Sequence, residues 1–426
     1  MRPVRLIGSF LTVGGWTLAS RLTGFARDIA IAALLGASAQ AQAFLVAFAL
    51  PNMFRRFFAE GAFNMAFVPL FSKKLESGEG AADFARDALS VLTAVLLALT
   101  LIAQLAMPWL VLAMAAGFAG DERLALATLY GRIAFPYILF ISLAALFSGV
   151  LNATGRFAAA AAAPVLLNLI FLAALAAAAL AGLDAGLALA CAVPIAGIAQ
   201  LALVWRAAAR AGFALWPRRP RWTPELRRLA AIAAPAALAG GVVQINLLVG
   251  RQVASFHEGA IAWLAYADRL YQLPLGVVGI AIGVVLLPDL SRRLAAADEP
   301  GSRDSLNRAA EFALLLTLPA AVALIVVPEP VVAALFERGA FGPEDTRATA
   351  IATAIYGAGL PAFVLQKVLQ PLYFAREDTR TPFRFALWSM LVNVAVAVGL
   401  MPLLGWRAAA LGTTLAGWAM LWLLWR

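Results

Sequence analysis

Two short stretches of this chain place arginines and acids where apolar residues would be expected. The first is Ser20-Arg21-Leu22-Thr23-Gly24-Phe25-Ala26-Arg27-Asp28, set in an apolar run that begins at Leu6. Wound as a helix, it puts Arg21, Gly24 and Asp28 on one stripe and Ser20 and Arg27 on the next. The second runs from Pro51 to Asn64 and carries Arg55 and Arg56. There Asn52, Arg56, Glu60 and Asn64 step by four and form a polar ridge. Tyr266-Ala267-Asp268-Arg269 with Gln272, and Gln366-Lys367 with Gln370, are weaker versions of the same theme. Guanidinium planes bind phosphate and pyrophosphate through paired hydrogen bonds, so the chemistry on offer is anion recognition. Neighbours at i and i+1, such as Arg27-Asp28 and Asp268-Arg269, leave a helix in different directions and are not expected to neutralise each other.

The elements that hold these residues must be membrane helices. The chain has 426 residues, 63% of them hydrophobic and 13% charged, with a mean hydropathy of +0.87. Soluble domains run near half apolar and a quarter charged, so so little charge cannot cover so much apolar surface. Apolar runs predict spans at about 6–35, 42–71, 88–114, 126–151, 159–182, 185–206, 227–250, 263–291, 309–328, 345–374, 383–403 and 408–425. The chain opening at Met1 to Arg5 is read as leading into the first span, not as a cleaved leader.

Inside a bilayer each arginine costs about 2.5–3.5 kcal/mol on insertion scales, so four in the first two spans would cost roughly 10 kcal/mol facing lipid. They are expected to face a wet, cationic interior lined by the first, second and eighth spans. Catalytic signatures do not appear. No phosphate-binding glycine loop or HExxH is present, and the lone His257 leaves no nucleophile–histidine pair. No cofactor and no metal site are expected. Cys191, the one cysteine, is read as a small buried residue.

The formal charge of +10 reflects topology and not nucleic acid. With the N-terminus in the cytoplasm, six of the 33 Lys+Arg lie inside spans, six lie on the far side, and all the rest collect on the cytoplasmic side. The richest loop, Trp216 to Arg228, falls on that face, where it can meet anionic lipid. The chain also repeats itself. Pro69-Leu70-Phe71-Ser72-Lys73-Lys74-Leu75 closes the second span and Pro288-Asp289-Leu290-Ser291-Arg292-Arg293-Leu294 closes the eighth. Six spans separate the copies, so the halves share one orientation. The expectation is an all-α integral membrane transporter with two parallel six-helix lobes, 1–213 and 214–426, around a central cavity.

At these residues the sequence resembles the MurJ (MviN) family of lipid II flippases. The resemblance rests on Ser20-Arg21 to Asp28, on Leu50-Pro51-Asn52 to Arg55-Arg56 with Ala59-Glu60-Gly61-Ala62-Phe63, and on Tyr266-Ala267-Asp268-Arg269-Leu270. Phe135-Pro136-Tyr137, Leu151-Asn152, Leu286-Leu287-Pro288 and Thr381-Pro382 support it. It implies the MOP-superfamily fold in the bacterial inner membrane, and the loop charge bias is what puts both termini in the cytoplasm. It implies that undecaprenyl-pyrophosphate-linked disaccharide-pentapeptide moves from the inner to the outer leaflet. By the same resemblance Arg21, Arg27, Arg55 and Arg269, with Asp28 and Glu60, serve the substrate. Arg56 and Asp268 join them from their place in the polar stretches. The partners implied are lipid II and membrane lipids, the chain acting as a monomer in company with other cell-wall synthesis proteins.

The sequence departs from the family at three places. Gln42 precedes Ala43-Phe44 where an aspartate is frequent. The seventh and eleventh spans offer Gln244, Asn246 and Asn393 but no carboxylate, so a sodium site of the kind some relatives carry is not expected. Two further helices usual in the family lie beyond Trp425-Arg426, where this sequence ends. Two other readings stand beside the flippase: a MOP-fold exporter of drugs or of another polyprenyl-linked saccharide, and a membrane scaffold. Drug cavities of this fold favour acids, and a scaffold does not bury arginines.

Overall fold

The computed structural model describes residues 6–55, 62–78, 80–281, 286, 289–290, 292–293, 296, 298–376 and 378–426. Side chains are described over fewer positions, excluding 6–11, 62–65, 235–246 and 277–281. Arg56 and Glu60 lie outside the described residues, and the side chains of Asn64, Gln244 and Asn246 outside the described side chains.

Backbone N–H and C=O groups have no water partners in lipid, so the chain satisfies them within helices. In order these are α1 (Leu6–Leu35), α2 (Ala39–Arg55), α3 (Ala62–Ser77), α4 (Ala81–Met114), α5 (Glu122–Ala134), α6 (Tyr137–Ala153), α7 (Ala158–Ala181), α8 (Ala185–Arg210), α9 (Pro224–Ser255) and α10 (Ala260–Ala281). There follow α11 (Glu299–Val326), α12 (Pro328–Phe336), α13 (Pro343–Ala375), α14 (Arg380–Gly399), α15 (Met401–Leu404) and α16 (Arg407–Trp425). Among the described residues there is no strand, only an isolated bridge between Arg338 and Phe341. Among them, 8 helices are long and apolar enough to cross a membrane, with α5 and α6 counted as one, Glu122–Ala153. The expected fourth span is interrupted at Phe135-Pro136, between α5 and α6, because proline lacks an N–H and clashes with the turn before it.

The chain forms two compact units. The first comprises Met1–Leu35, Ala39–Met114 and Ala119–Gly241. In it α1 packs on α7, α2 on α5, and α8 on both α6 and α7. Small residues set the spacing. A Cβ at Gly197 would lie 2.8 Å from the Tyr137 ring, so α8 reaches α6 only as glycine. Phe48 stacks on Phe44 at 5.7 Å and meets Phe171 at 5.4 Å. The Tyr137 hydroxyl donates to Gln200 Oε1 at 3.1 Å, and Gln200 Nε2 donates to the Ala163 carbonyl at 2.8 Å, so each polar atom of this buried pair has a partner.

The second unit comprises Gly36–Ser38, Ala115–Phe118 and Val242–Arg426. Here α13 packs on α10, α11 and α16, and α14 on α16. Tyr266 stands between Phe336 and Phe341, both at 5.4 Å, and its hydroxyl donates to the Gly36 carbonyl at 2.9 Å. Gly36 has φ of 56°, and a Cβ there would fall 2.4 Å from the Ala340 carbonyl oxygen. The position therefore needs glycine on both counts.

Cys191 is exposed on α8 and not buried as expected. An apolar run in a membrane helix has faces that point to lipid as well as faces that point to protein. Composition does not tell one from the other.

Candidate functional site

The first unit holds a buried ion pair on α1. Arg27 and Asp28 are 9% and 7% exposed, the most enclosed of the expected site residues described. Arg27 Nε and Nη2 both donate to Asp28 Oδ1, at 2.9 and 2.6 Å. This corrects the expectation that these two neighbours do not neutralise each other. The Cβ directions do diverge, but the arginine stem is long enough to swing its guanidinium back across the gap. In a low dielectric that contact outweighs the rotamer cost.

The third Arg27 contact comes from α7. Nη1 donates to Asn168 Oδ1 at 2.9 Å, and the guanidinium carbon lies 5.7 Å from the centre of the Phe171 ring. Asn168 in turn donates from Nδ2 to the Ser20 carbonyl at 3.0 Å and to Thr23 Oγ1 at 3.2 Å. One amide thus fixes both the arginine and the turn of α1 that precedes it. Gly24 makes room, because a Cβ there would lie 3.3 Å from Asn168 Nδ2. Among the described residues these bonds occupy three of the five guanidinium N–H groups. A partly neutralised, fixed fork with little exposed surface suits an anion with several oxygens.

The other expected residues are placed less tightly. Arg21 is exposed on α1, and Arg55 is half-buried at the end of α2. In the second unit Asp268 is half-buried on α10 and accepts from Gln272 Nε2, while Arg269 is exposed. Tyr271 lies beside Asp268, with its ring 5.1 Å from Tyr356 and 5.3 Å from Phe363. Lys367 is exposed on α13, and its neighbour Gln366 donates to the Gly417 carbonyl at 2.7 Å. The structure brings together Arg27, Asp28 and Asn168 in one unit, and Asp268 and Gln272 in the other.

Two functional-looking positions escaped the sequence reading. Asn168 had a signal, a lone amide in the alanine- and leucine-rich α7. Arg123, expected as a far-side loop cation, is buried at 8% exposure. It donates to Asp121 Oδ2 from Nε at 2.8 Å and from Nη2 at 2.5 Å, and from Nη1 to Gln42 Oε1 at 3.2 Å. Gln42, the family departure noted above, is therefore the neutral acceptor of a charge already paired with Asp121. Burial pushes the Asp121 carboxyl up, but the hydrogen bonds and charge of Arg123 outweigh it and hold the group below its ordinary value.

Comparison with known proteins decides the family. The family model for the lipid II flippase MurJ matches residues 31–426. The chain belongs to this family. It is 51% identical over 420 residues to a probable lipid II flippase MurJ of Rhizobium meliloti (strain 1021), covering 97% of this chain and 78% of that relative. It is 38% identical over 410 residues to a lipid II flippase MurJ of Burkholderia cenocepacia, covering 94% of this chain and 80% of that one. A solved lipid II flippase MurJ in an inward closed conformation superposes with a TM-score of 0.85 at 27% identity, covering 97% of this chain and 86% of that chain. An inward-facing multidrug-resistance MATE transporter of the MOP superfamily superposes at 0.81 with 13% identity, over 95% of this chain and 93% of that one. The fold is therefore of the MOP type, and this MurJ family member is a multi-pass membrane protein.

Proposed function

We propose that the chain moves lipid II from the inner to the outer leaflet of the bacterial cytoplasmic membrane by alternating access. It makes and breaks no covalent bond. The observation that carries this reading is the buried Arg27, which holds a fixed geometry yet is only partly occupied among the described residues. The pyrophosphate of lipid II is a multi-oxygen anion of the kind such a fork accepts. Its oxygens would share Arg27 with Asp28, so the carboxylate holds the place until the substrate arrives. Arg21, Arg55, Arg56 and Arg269 add cationic attraction along the way, and Asp28, Glu60 and Asp268 keep those arginines from binding the anion irreversibly. The sequence halves 1–213 and 214–426 are the moving lobes, both termini are cytoplasmic, and the chain acts as a monomer alongside other cell-wall synthesis proteins. Membrane potential drives the cycle, at about 2.3 kcal/mol per unit charge per 100 mV if that charge crosses the full field.

Complementation tests the reading. In a host depleted of its own flippase, this chain restores growth and outer-leaflet lipid II, and Arg27→Ala inserts normally but fails. Arg27→Lys rescues in part, because an ammonium lacks the planar fork. Wild-type flipping by the alanine variants of Arg27, Arg55 and Arg269 alike would overturn the assignment. Collapsing the potential at constant sodium stops flipping, whereas removing sodium at constant potential does not.

A further inference from the structure

One part of the surface has a composition that transport does not use. Residues 211–223 join α8 to α9 without regular structure. Trp216 and Trp222 are 66% and 56% exposed. Arg219 and Arg221 are exposed between them, and Arg227 and Arg228 are exposed on the first turns of α9.

The segment is nonetheless held firmly. Leu215 is buried, and its carbonyl accepts from Trp205 Nε1 at 3.1 Å. Trp205 meets Trp216 edge to face at 5.0 Å, and Phe213 meets Phe71 at 5.5 Å. Arg218 closes the fold-back. Its backbone N–H donates to Ser90 Oγ at 2.8 Å, and its guanidinium bonds Asp87 at 2.7 Å and Asp83 at 3.2 Å on α4. The hydrogen bond to Asp87, helped by the charges of Asp87 and Asp83, raises the Arg218 pKa. Arg218 is thus spent on structure. Among the described residues Arg219, Arg221, Arg227 and Arg228 make no ion pair, and they point their charge outward from a rigid support.

We propose that this loop is a platform for the head groups of anionic phospholipids. Three properties fit that partner. Tryptophan sits at the head-group level, with its ring in the apolar margin and its N–H in the wet zone. Arginines close to an anionic leaflet are attracted within a Debye length of it. The loop springs directly from the end of α8, which is long and apolar enough to cross a membrane, and leads into α9, expected from the sequence as the next span, so it lies at the height where head groups are. Because the anchors order the loop beforehand, little conformational freedom is lost on binding. The proposal does not depend on what the chain carries.

The test uses the full chain with Cys191→Ser and Pro220→Cys, a fluorophore on the new thiol, and vesicles of phosphatidylcholine with a minority of phosphatidylglycerol. Head-group spin-labelled phosphatidylglycerol is expected to quench the fluorophore at least about twofold more than spin-labelled phosphatidylcholine, with the preference lost in high salt. Arg219→Glu with Arg221→Glu should abolish the preference, while Arg338→Glu, an exposed arginine of the second unit, should leave it intact. A thermal melt of each variant confirms that it is folded. Equal quenching by the two lipids, or a preference that survives charge reversal, overturns the proposal. So does a loop indifferent to lipid that is instead quenched by a spin-labelled acidic polypeptide, which would mark a protein-docking surface.

Discussion

Asn168 grips Arg27 and the helix beneath it at the same time. Its Oδ1 accepts from the guanidinium at 2.9 Å, and its Nδ2 donates to the Ser20 carbonyl at 3.0 Å, two turns earlier on α1. The direction of the arginine is thereby tied to the position of α7 against α1. An arginine free to rotate would bind an anion with equal chemistry but less preorganisation.

This relationship can be broken from either side. Asn168→Leu leaves a buried guanidinium N–H without its acceptor, which costs about 1–3 kcal/mol, and removes one of the bonds to the Ser20 carbonyl, which Thr23 Oγ1 still reaches at 3.3 Å. Its melting temperature in detergent should fall, and flipping should fall further than the melt accounts for. Asn168→Asp keeps the acceptor for Arg27 but loses the donor to Ser20, and adds a second carboxylate that competes with the substrate. Its stability should therefore recover more than its transport. Equal transport by all three chains would separate Asn168 from function. Gly24→Ala should show a milder version of the same loss, since its Cβ meets Asn168 at 3.3 Å.

Orientation is open to direct labelling. In a Cys191→Ser background, Glu258→Cys lies in the exposed turn between α9 and α10, and Pro220→Cys lies in the loop between α8 and α9. On intact cells an impermeant thiol reagent should modify the first and spare the second. The opposite pattern would invert the proposed topology.

The pair of Asp121 with Arg123 predicts a dependence on pH. The folded carboxyl titrates below its ordinary value, so its contribution to stability is present above the unfolded pKa of about 3.9 and fades as pH falls through the folded one. Wild type should therefore melt higher than Asp121→Asn at pH 7 and at pH 5, by a similar margin. The margin should shrink below about pH 4, where the carboxyl of the unfolded wild-type chain begins to take up its proton while the folded one still holds its charge. A margin that grows on acidification would contradict the pairing.

Much of this was legible in the sequence because a bilayer allows so few solutions. Uninterrupted apolar runs become helices, and the break at Phe135-Pro136 follows from a missing N–H. What composition could not supply was azimuth, the direction in which each residue leaves its helix. Cys191 faces outward, and Asn168 faces Arg27, for reasons that lie in the packing of α7, α8 and α1 and not in their own sequences. Arg27 and Asp28 were misjudged for a related reason. Spacing describes where Cβ atoms point, whereas a long side chain is governed by where its end can reach.

The length of α4 sets a vertical scale for the first unit. Its 34 residues span about 51 Å, against a hydrocarbon layer of about 30 Å. The end that carries Asp83, Arg86 and Asp87 is polar, and there the overhang stands in water. From Val91 to Met114 the helix has no charge, and that stretch alone is about 36 Å long. It fits an ordinary bilayer if the helix leans by roughly 30–35° or if the lipid thickens around it. The angle of α4, and with it the height of every group clamped to its polar end, is therefore a property shared with the surrounding lipid. Chain length in the acyl tails becomes a variable that acts on this protein without touching any of its charged residues.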